Sequence, residues 1–212
     1  SNYWYRSGTN QTMRDHLAGI VTQAITYTSA ERGARVLDIG CNDGTLLRAY
    51  GDRYERYGVD PSNIAAEIEP PITVINTVFP SEQTKAAFAT LKFDVVTTIA
   101  MFYDLEDPVG FAKEISSLLA PSGVWILEMS YMPTMLEQNA FDTICHEHIE
   151  YYSLAVLDRV MERAGLRIFR AELNSSNGGS IRCFVSQTSD ALVSKPAHEN
   201  AVKTLRRQEQ CL

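Results

Sequence analysis

The sequence predicts an α/β protein with a mostly parallel sheet, helices on both faces and an antiparallel hairpin at its C-terminal end. Two observations lead to this prediction. Short apolar runs alternate with stretches of helical periodicity through most of the chain, and a turn-rich cluster at residues 174–179 separates two strand-like segments. Alternating strands and helices are typical of parallel sheets covered by helices. A turn cluster between two strands indicates a hairpin.

The predicted elements follow in order. A first helix is expected because five apolar residues share one helical face: Met13, Leu17, Ile20, Val21 and Ala24. Five strands are expected at residues 36–39, 57–60, 72–78, 93–100 and 124–128. Helices are expected at 44–50 and 81–91, and from Asp107, where Pro108 suits the first helical position. A Pro-Ser-Gly turn at 121–123 leads into the fifth strand.

The pattern changes after the fifth strand. Residues 130–153 have no clean period, and a further amphipathic helix is expected over 154–164. The hairpin strands are expected at 166–173 and 180–186. A polar helix from Pro196 has little apolar face, so we expect a linker to a further domain. The predicted division is an N-terminal segment and helix (1–30), a central domain (31–190) and this linker (191–212).

Composition excludes several classes of protein. The 212 residues carry a net charge of -7, with 45% hydrophobic and 21% charged residues, which is ordinary for a globular protein. A basic nucleic-acid-binding face and a membrane span are not expected. The four cysteines are scattered without a CxxC pair, which indicates free thiols in a reducing cytoplasm and no structural zinc.

The most informative stretch is VLDIGCNDGTLL at residues 36–47. In open α/β sheets, ligands bind at the carboxyl ends of the strands, and Gly40 and Gly44 allow the backbone to approach a ligand closely. A dinucleotide site would have glycine where Asn42 stands, and a third glycine that is absent here. A nicotinamide cofactor is therefore disfavoured.

Two carboxylates accompany this loop. Asp38 suits a ligand with an ammonium group, and Asp60, at the end of the second strand, suits the hydroxyls of a ribose. Either alone could be a solvated carboxylate at a strand end. Together they predict S-adenosylmethionine (SAM), which has an ammonium group and no phosphate. The expected cofactor contacts are Asp38, Gly40, Cys41, Asn42, Gly44, Asp60, Ala100 and Met101, although core packing explains residues 100–102 equally well.

Residues 141–152, named here the histidine segment, hold two of the four histidines. Three interpretations compete for this segment: a polar surface loop, a metal site or general acid–base catalysis. A metal site would use His146, His148 and Glu150, which share a face of an extended chain. It is disfavoured because spacings such as HExxH are absent, and no metal is expected. A histidine whose pKa is near the ordinary value of about 6.5 can remove a proton at neutral pH.

Three further blocks carry a resemblance: YRSGTN at 5–10, DTICHEHIEYYSL at 142–154 and NGGSIR at 177–182. Together with DIGCNDG at 38–44, the sequence resembles the C-methyltransferases of deoxysugar biosynthesis over nearly its whole length. The resemblance implies a Rossmann-like class I SAM methyltransferase fold. It also implies transfer of a methyl group from SAM to a carbon beside the ketone of a nucleotide-linked 4-keto sugar, commonly C3.

The resemblance implies roles for individual residues. His148 is the expected base, Glu147 is expected in the site, and Tyr5 is expected near the reacting centre. Substrate contacts are expected from Tyr151, Tyr152 and Asn177.

Members of that family usually carry an upstream zinc-binding domain and a second C-terminal α/β domain, and neither is in this sequence. We therefore expect a piece of a longer protein that keeps SAM binding. Two alternatives stay open: an O-methyltransferase that acts on a small molecule, and a SAM-binding module without catalysis.

Overall fold

The computed structural model describes residues 5–28, 33–140, 144–146, 148–190 and 196–210. Within these residues the strands are β1 (Arg35–Ile39), β2 (Glu55–Val59), β3 (Thr73–Ile75), β4 (Phe93–Ile99), β5 (Leu119–Ser130), β6 (Leu166–Asn174) and β7 (Ser180–Gln187). The α-helices are α1 (Gln11–Ala24), α2 (Thr45–Ala49), α3 (Glu82–Phe88), α4 (Pro108–Leu118), α5 (Met132–Gln138), α6 (Leu154–Arg163) and α7 (Pro196–Glu209).

The seven strands form one mostly parallel sheet in the order β3-β2-β1-β4-β5-β7-β6. Strand β2 pairs in parallel with β1 and with β3. Strand β7 pairs antiparallel with β5 and with β6. The predicted fold class is therefore confirmed, including the antiparallel hairpin at the C-terminal end.

The chain divides into two compact units. Unit 1 comprises Ser1–Thr97 with Leu118–Val124, and it holds β1 to β3 with helices α1 to α3. Helix α1 begins after Asn10, whose side chain accepts a hydrogen bond from the Thr12 N–H at 2.9 Å. Its buried face is made of the predicted residues Leu17, Ile20, Val21 and Ala24.

Unit 2 comprises Thr98–Ser117 with Trp125–Leu212. Its core contains an aromatic cluster in which Phe102 packs against three rings, those of Phe111, Trp125 and Tyr152, at centroid distances of 5.4–5.8 Å. Such tilted and edge-to-face ring pairs stabilise the fold beyond the burial of their apolar area.

Helix α7 has more of an apolar face than its sequence suggested. Val202 and Leu205, three residues apart and so on one side of the helix, are both buried, and α7 packs against β6 and α6. Arg206 donates two hydrogen bonds to the Asp158 carboxylate, at 2.7 and 2.8 Å. Two apolar residues and one ion pair therefore dock a helix that looks polar throughout.

Three further elements differ from the prediction. Strand β3 has only three residues, because its pairing with β2 stops where β2 ends, at Val59 opposite Ile75. Strand β5 is longer than predicted and includes residues 121–123, where Ser122 has a φ of 66°. Helix α5 was not predicted because its seven residues are too few to show a period.

A membrane span would need a longer and more apolar helix than any found in the part of the chain that the structure describes.

Candidate functional site

The loop after β1 is built from three residues with left-handed backbone conformation. The φ angles are 79° at Gly40, 50° at Asn42 and 76° at Gly44. Glycine adopts this conformation freely, and asparagine tolerates it better than most residues. Asn42 can therefore stand where a dinucleotide site has its second glycine without breaking the turn.

Asp60 fixes this loop to the end of β2. Its carboxylate accepts hydrogen bonds from the Asn42 N–H at 2.9 Å and from the Ser62 N–H at 2.7 Å, and it is only 8% exposed. Each carboxylate oxygen has a second lone pair. The group can therefore hold the loop and still accept a ligand hydroxyl.

Asp38, near the end of β1, is a buried carboxylate whose Oδ1 accepts a hydrogen bond from the Thr97 hydroxyl at 2.6 Å. Burial raises the pKa of Asp38 to about 7, the Thr97 hydrogen bond opposes this effect, and the charge of Asp60 adds to it. A cation beside Asp38 would stabilise its charged form. The two carboxylates therefore fit a ligand with an ammonium group and hydroxyls.

Cys41 is buried, and its side chain packs against the backbone at Gly58, where an added Cβ would lie 2.7 Å from the Cys41 Sγ. Burial and the charge of Asp38 raise the pKa of the thiol. The side chain therefore supports the sheet, and only the backbone of Cys41 is available to line a ligand.

Residues 5–10, the N-terminal segment, are attached to the same loop. The Asn42 side chain donates a hydrogen bond to the Tyr5 carbonyl at 2.9 Å and accepts one from the Ser7 N–H at 3.0 Å. The Gly8 N–H donates to the Asp43 carboxylate at 2.8 Å. The loop thus positions the backbone that carries Tyr5.

The Tyr5 side chain is 46% exposed, so a ligand can reach it. Partial burial and the charge of Asp43 raise the pKa of its hydroxyl above the ordinary value of 10.0. The hydroxyl therefore stays protonated at neutral pH and can donate a hydrogen bond.

In unit 2, the chain after β4 adopts a strained conformation. Ala100 has a φ of 54°, which is costly for a residue with a Cβ, and its N–H donates to the Glu128 carbonyl at 2.8 Å. Ala100 is exposed and Met101 is half-buried. Strain of this kind is concentrated at functional sites, so the end of β4 is a candidate ligand contact.

A buried ion pair connects strands β5 and β7. Arg182 donates to the Glu128 carboxylate at 2.7 Å, and the Asn174 side chain donates to the same oxygen at 2.9 Å. Glu128 and Arg182 are directly opposite in the pairing of β5 with β7. The arginine of the NGGSIR block therefore neutralises a carboxylate that would be costly to bury alone.

His148 is packed more closely than its neighbour. Its ring lies 4.1 Å from the Tyr103 ring, centroid to centroid, and the N–H groups of Ile149 and Glu150 donate to the Tyr103 carbonyl at 3.1 and 3.0 Å. His148 is half-buried, whereas His146 is exposed. Of the two, His148 therefore has the more defined orientation. Glu147 lies outside the described residues.

The described part of the histidine segment does not gather a metal-ligand set. Over residues 5–28, 33–140, 144–146, 148–190 and 196–210, no three His, Cys, Asp or Glu side chains are close enough to hold one ion.

The three expected substrate contacts differ in exposure. Asn177 is exposed in the turn between β6 and β7, with a φ of 49°, and Tyr151 is half-buried. Tyr152 is 2% exposed, and its ring packs against Phe102. A substrate could reach Asn177 and Tyr151 directly, whereas Tyr152 would have to move.

The sequence analysis missed three residues of these sites. Thr97 and Glu128 interrupt apolar strands, and a polar residue in a buried strand is a signal that it has a partner. Tyr103 gave no such signal, since nothing in the sequence connects it with His148.

Comparison with known proteins gives the family. The sequence matches the methyltransferase domain family over residues 11–171. It is 28% identical to the C-methyltransferase NovU of Streptomyces niveus over 193 residues, which are 87% of this chain and 45% of that protein. It is 27% identical over 130 residues to the ubiquinone biosynthesis O-methyltransferase of Neisseria meningitidis serogroup C (strain 053442), covering 58% of this chain and 54% of that protein. The chain thus spans about half the length of these curated relatives.

The fold is shared with solved methyltransferases. The magnesium protoporphyrin IX methyltransferase ChlM of Synechocystis PCC 6803, crystallised with S-adenosylhomocysteine (SAH), aligns with a TM-score of 0.60 at 15% identity, over 85% of this chain and 89% of that one. At this identity the likeness concerns the fold. The match to the domain family covers most of the chain, and the protein therefore belongs to the methyltransferase domain family.

Proposed function

We propose that this chain is the SAM-binding methyltransferase part of an enzyme that methylates a carbon beside the ketone of a nucleotide-linked 4-keto-deoxysugar. His148 is the base that removes the proton from this carbon. The observation that carries the proposal is the packing of His148 against Tyr103, beside an exposed His146. The similarity to a C-methyltransferase over 87% of the chain supports carbon as the acceptor.

Unit 1 supplies the cofactor contacts. Asp38 faces the ammonium group, Asp60 accepts hydrogen bonds from ribose hydroxyls, and the left-handed turn at residues 40–44 brings the backbone close to the ligand. SAM, when bound, supplies an electrophilic methyl group.

Side chains of this protein remove the proton and stabilise the negative charge that develops. A C–H bond beside a ketone is acidic because its conjugate base is an enolate, whose charge lies largely on oxygen. In this proposal the His148 imidazole takes the proton and becomes an imidazolium ion. In this proposal the Tyr5 hydroxyl, which is protonated at neutral pH, donates a hydrogen bond to the developing oxyanion. The enolate carbon is then nucleophilic.

The test is methyl transfer by the complete natural protein with SAM and a panel of nucleotide-linked 4-keto sugars. We expect formation of SAH and of a product whose NMR spectrum contains a new C–CH3 group. His148→Gln should leave SAM affinity nearly unchanged while turnover falls by ~10²–10⁴-fold. Exchange of the substrate C–H with solvent deuterium should be lost as well.

His146→Gln is the matched control, because this histidine is exposed and two residues away. If His146→Gln is inactive and His148→Gln is not, the base is His146. If both variants stay active, the proposed mechanism is wrong and Glu147 is the next candidate. SAM binding without methyl transfer to any acceptor would support a non-catalytic module.

An O-methyltransferase is the second candidate, favoured by the similarity to the ubiquinone biosynthesis enzyme over 58% of the chain. In that case His148 would deprotonate a hydroxyl. The product NMR spectrum separates the two candidates, because an O–CH3 group resonates well apart from a C–CH3 group.

A further inference from the structure

Helix α7 carries a carboxylate that binds both ends of the stretch containing His148. Its described residues, 132–140, 144–146 and 148–153, are named here the catalytic stretch. Glu209 accepts hydrogen bonds from the Tyr131 hydroxyl at 2.5 Å, from the Leu154 N–H and from the Ala155 N–H at 2.9 Å. Tyr131 directly precedes the catalytic stretch, and Leu154 directly follows it.

The two ends of the stretch also contact each other. The Met132 N–H donates to the Tyr152 carbonyl at 3.0 Å, so the stretch leaves and rejoins the body of unit 2 at one place. Glu209 adds a charged acceptor at that place. Leu154 and Ala155 are the first residues of α6, whose free N–H groups and positive dipole end favour a carboxylate.

The docking of α7 makes this contact specific. Val202 and Leu205 are buried, and Arg206 is paired with Asp158 of α6, so the last turn of α7 has a fixed position over the start of α6. Tyr131 is 3% exposed, and burial together with the hydrogen bond to Glu209 raises the pKa of its hydroxyl. The Tyr131 hydroxyl therefore stays protonated at neutral pH and donates its hydrogen bond to Glu209.

We propose that Glu209 is a positioning residue that closes the catalytic stretch and thereby holds His148 in place. This inference rests on the proposed function only for the role of His148. Helix α7 is then part of the catalytic unit, whether or not it also connects to another domain. Glu209 acts through the two ends of the stretch and does not contact the substrate.

The test compares Glu209→Gln and Tyr131→Phe with Glu199→Gln in the complete natural protein. Glu199 lies on the same helix, paired with Lys203 at 3.8 Å, so its substitution is the matched control. We expect amide hydrogen exchange at residues 148–153 to rise by about 10-fold in Glu209→Gln, and by less in Tyr131→Phe. Exchange in β6 and β7, and SAM affinity, should stay unchanged.

Turnover should fall by about 10-fold in Glu209→Gln, with little further loss when this change is combined with His148→Gln, because both act on one group. Hydrogen exchange does not depend on activity, so it tests the closure even if His148 is not the base. Unchanged exchange at residues 148–153 in both variants overturns the proposal. A uniform rise across unit 2 also overturns it, because it would show only a general loss of stability. If Glu209→Gln does not fold, hydrogen exchange at residues 148–153 in Tyr131→Phe tests the proposal.

Discussion

The rings of Tyr103 and His148 lie 4.1 Å apart, centroid to centroid, with an angle of 45° between their planes. Tyr103 is 8% exposed and follows the strained end of β4, so its ring is held in place by the core of unit 2. The orientation of the imidazole therefore depends on a residue that lies 45 positions earlier in the chain.

This contact predicts that Tyr103→Leu reduces turnover by about 10-fold, since an aliphatic side chain orients the imidazole less well, while SAM affinity is kept. Tyr103→Phe is the control, because it keeps the ring and should retain most activity. Steady-state kinetics on both variants, with circular dichroism to verify folding, measures the difference. Equal activity of the two variants would show that the ring does not orient His148.

Asp60 is predicted to contribute to SAM binding both directly and through the loop. Asp60→Ala removes the two hydrogen bonds that Asp60 accepts from backbone N–H groups, together with the proposed acceptor for ribose. SAM binding should weaken by about 1–3 kcal/mol, the usual cost of losing hydrogen bonds to a charged group. Isothermal titration calorimetry gives the value. Unchanged affinity would remove Asp60 from the cofactor site.

The raised pKa of Asp38 predicts that the stability of the ligand-free protein depends on pH. Its pKa in the folded protein is about 7, above the ordinary value of 3.8. Between these values the folded protein holds a proton that the unfolded chain has released. The contribution of Asp38 to the free energy of unfolding therefore falls as pH rises from about 4 to about 7, and stays low above that.

Asp38→Asn removes this titration and keeps an oxygen that can accept from Thr97. The free energy of unfolding of the variant, relative to the natural protein, should therefore rise between pH 5 and pH 8. Urea unfolding at several pH values measures the difference. A constant difference over this range would mean that the Asp38 carboxyl is not perturbed by burial.

We predict that the Asn42 side chain contributes more to holding the N-terminal segment in place than to binding SAM. Asn42→Gly keeps the left-handed conformation and removes the hydrogen bonds to the Tyr5 carbonyl and the Ser7 N–H. We expect faster amide exchange over residues 5–10 and a fall in turnover of about 10-fold, with SAM affinity within about 3-fold.

Asn42→Asp provides the comparison, because it can accept from Ser7 but cannot donate to the Tyr5 carbonyl. Its effect should be intermediate. A loss of SAM affinity larger than the loss of turnover would assign the Asn42 side chain to the cofactor instead.

The sequence by itself determined the order of the strands and of the helices other than α5, the hairpin and the loop at residues 38–44. These features are local: apolar periodicity predicts the strands and most of the helices, and glycine or asparagine marks the left-handed positions of the loop. Asp38 and Asp60 could be placed together because the carboxyl ends of neighbouring parallel strands lie on one edge of the sheet.

Only the tertiary structure decided which distant side chains meet. Contacts such as Thr97 with Asp38, Tyr103 with His148 and Glu209 with Tyr131 join residues far apart in the chain, and no local pattern encodes them. The docking of α7 could not be predicted for the same reason. Its apolar face is only two residues wide, and the partners that bury it and satisfy Glu209 come from β6, α6 and Tyr131 once the chain has folded.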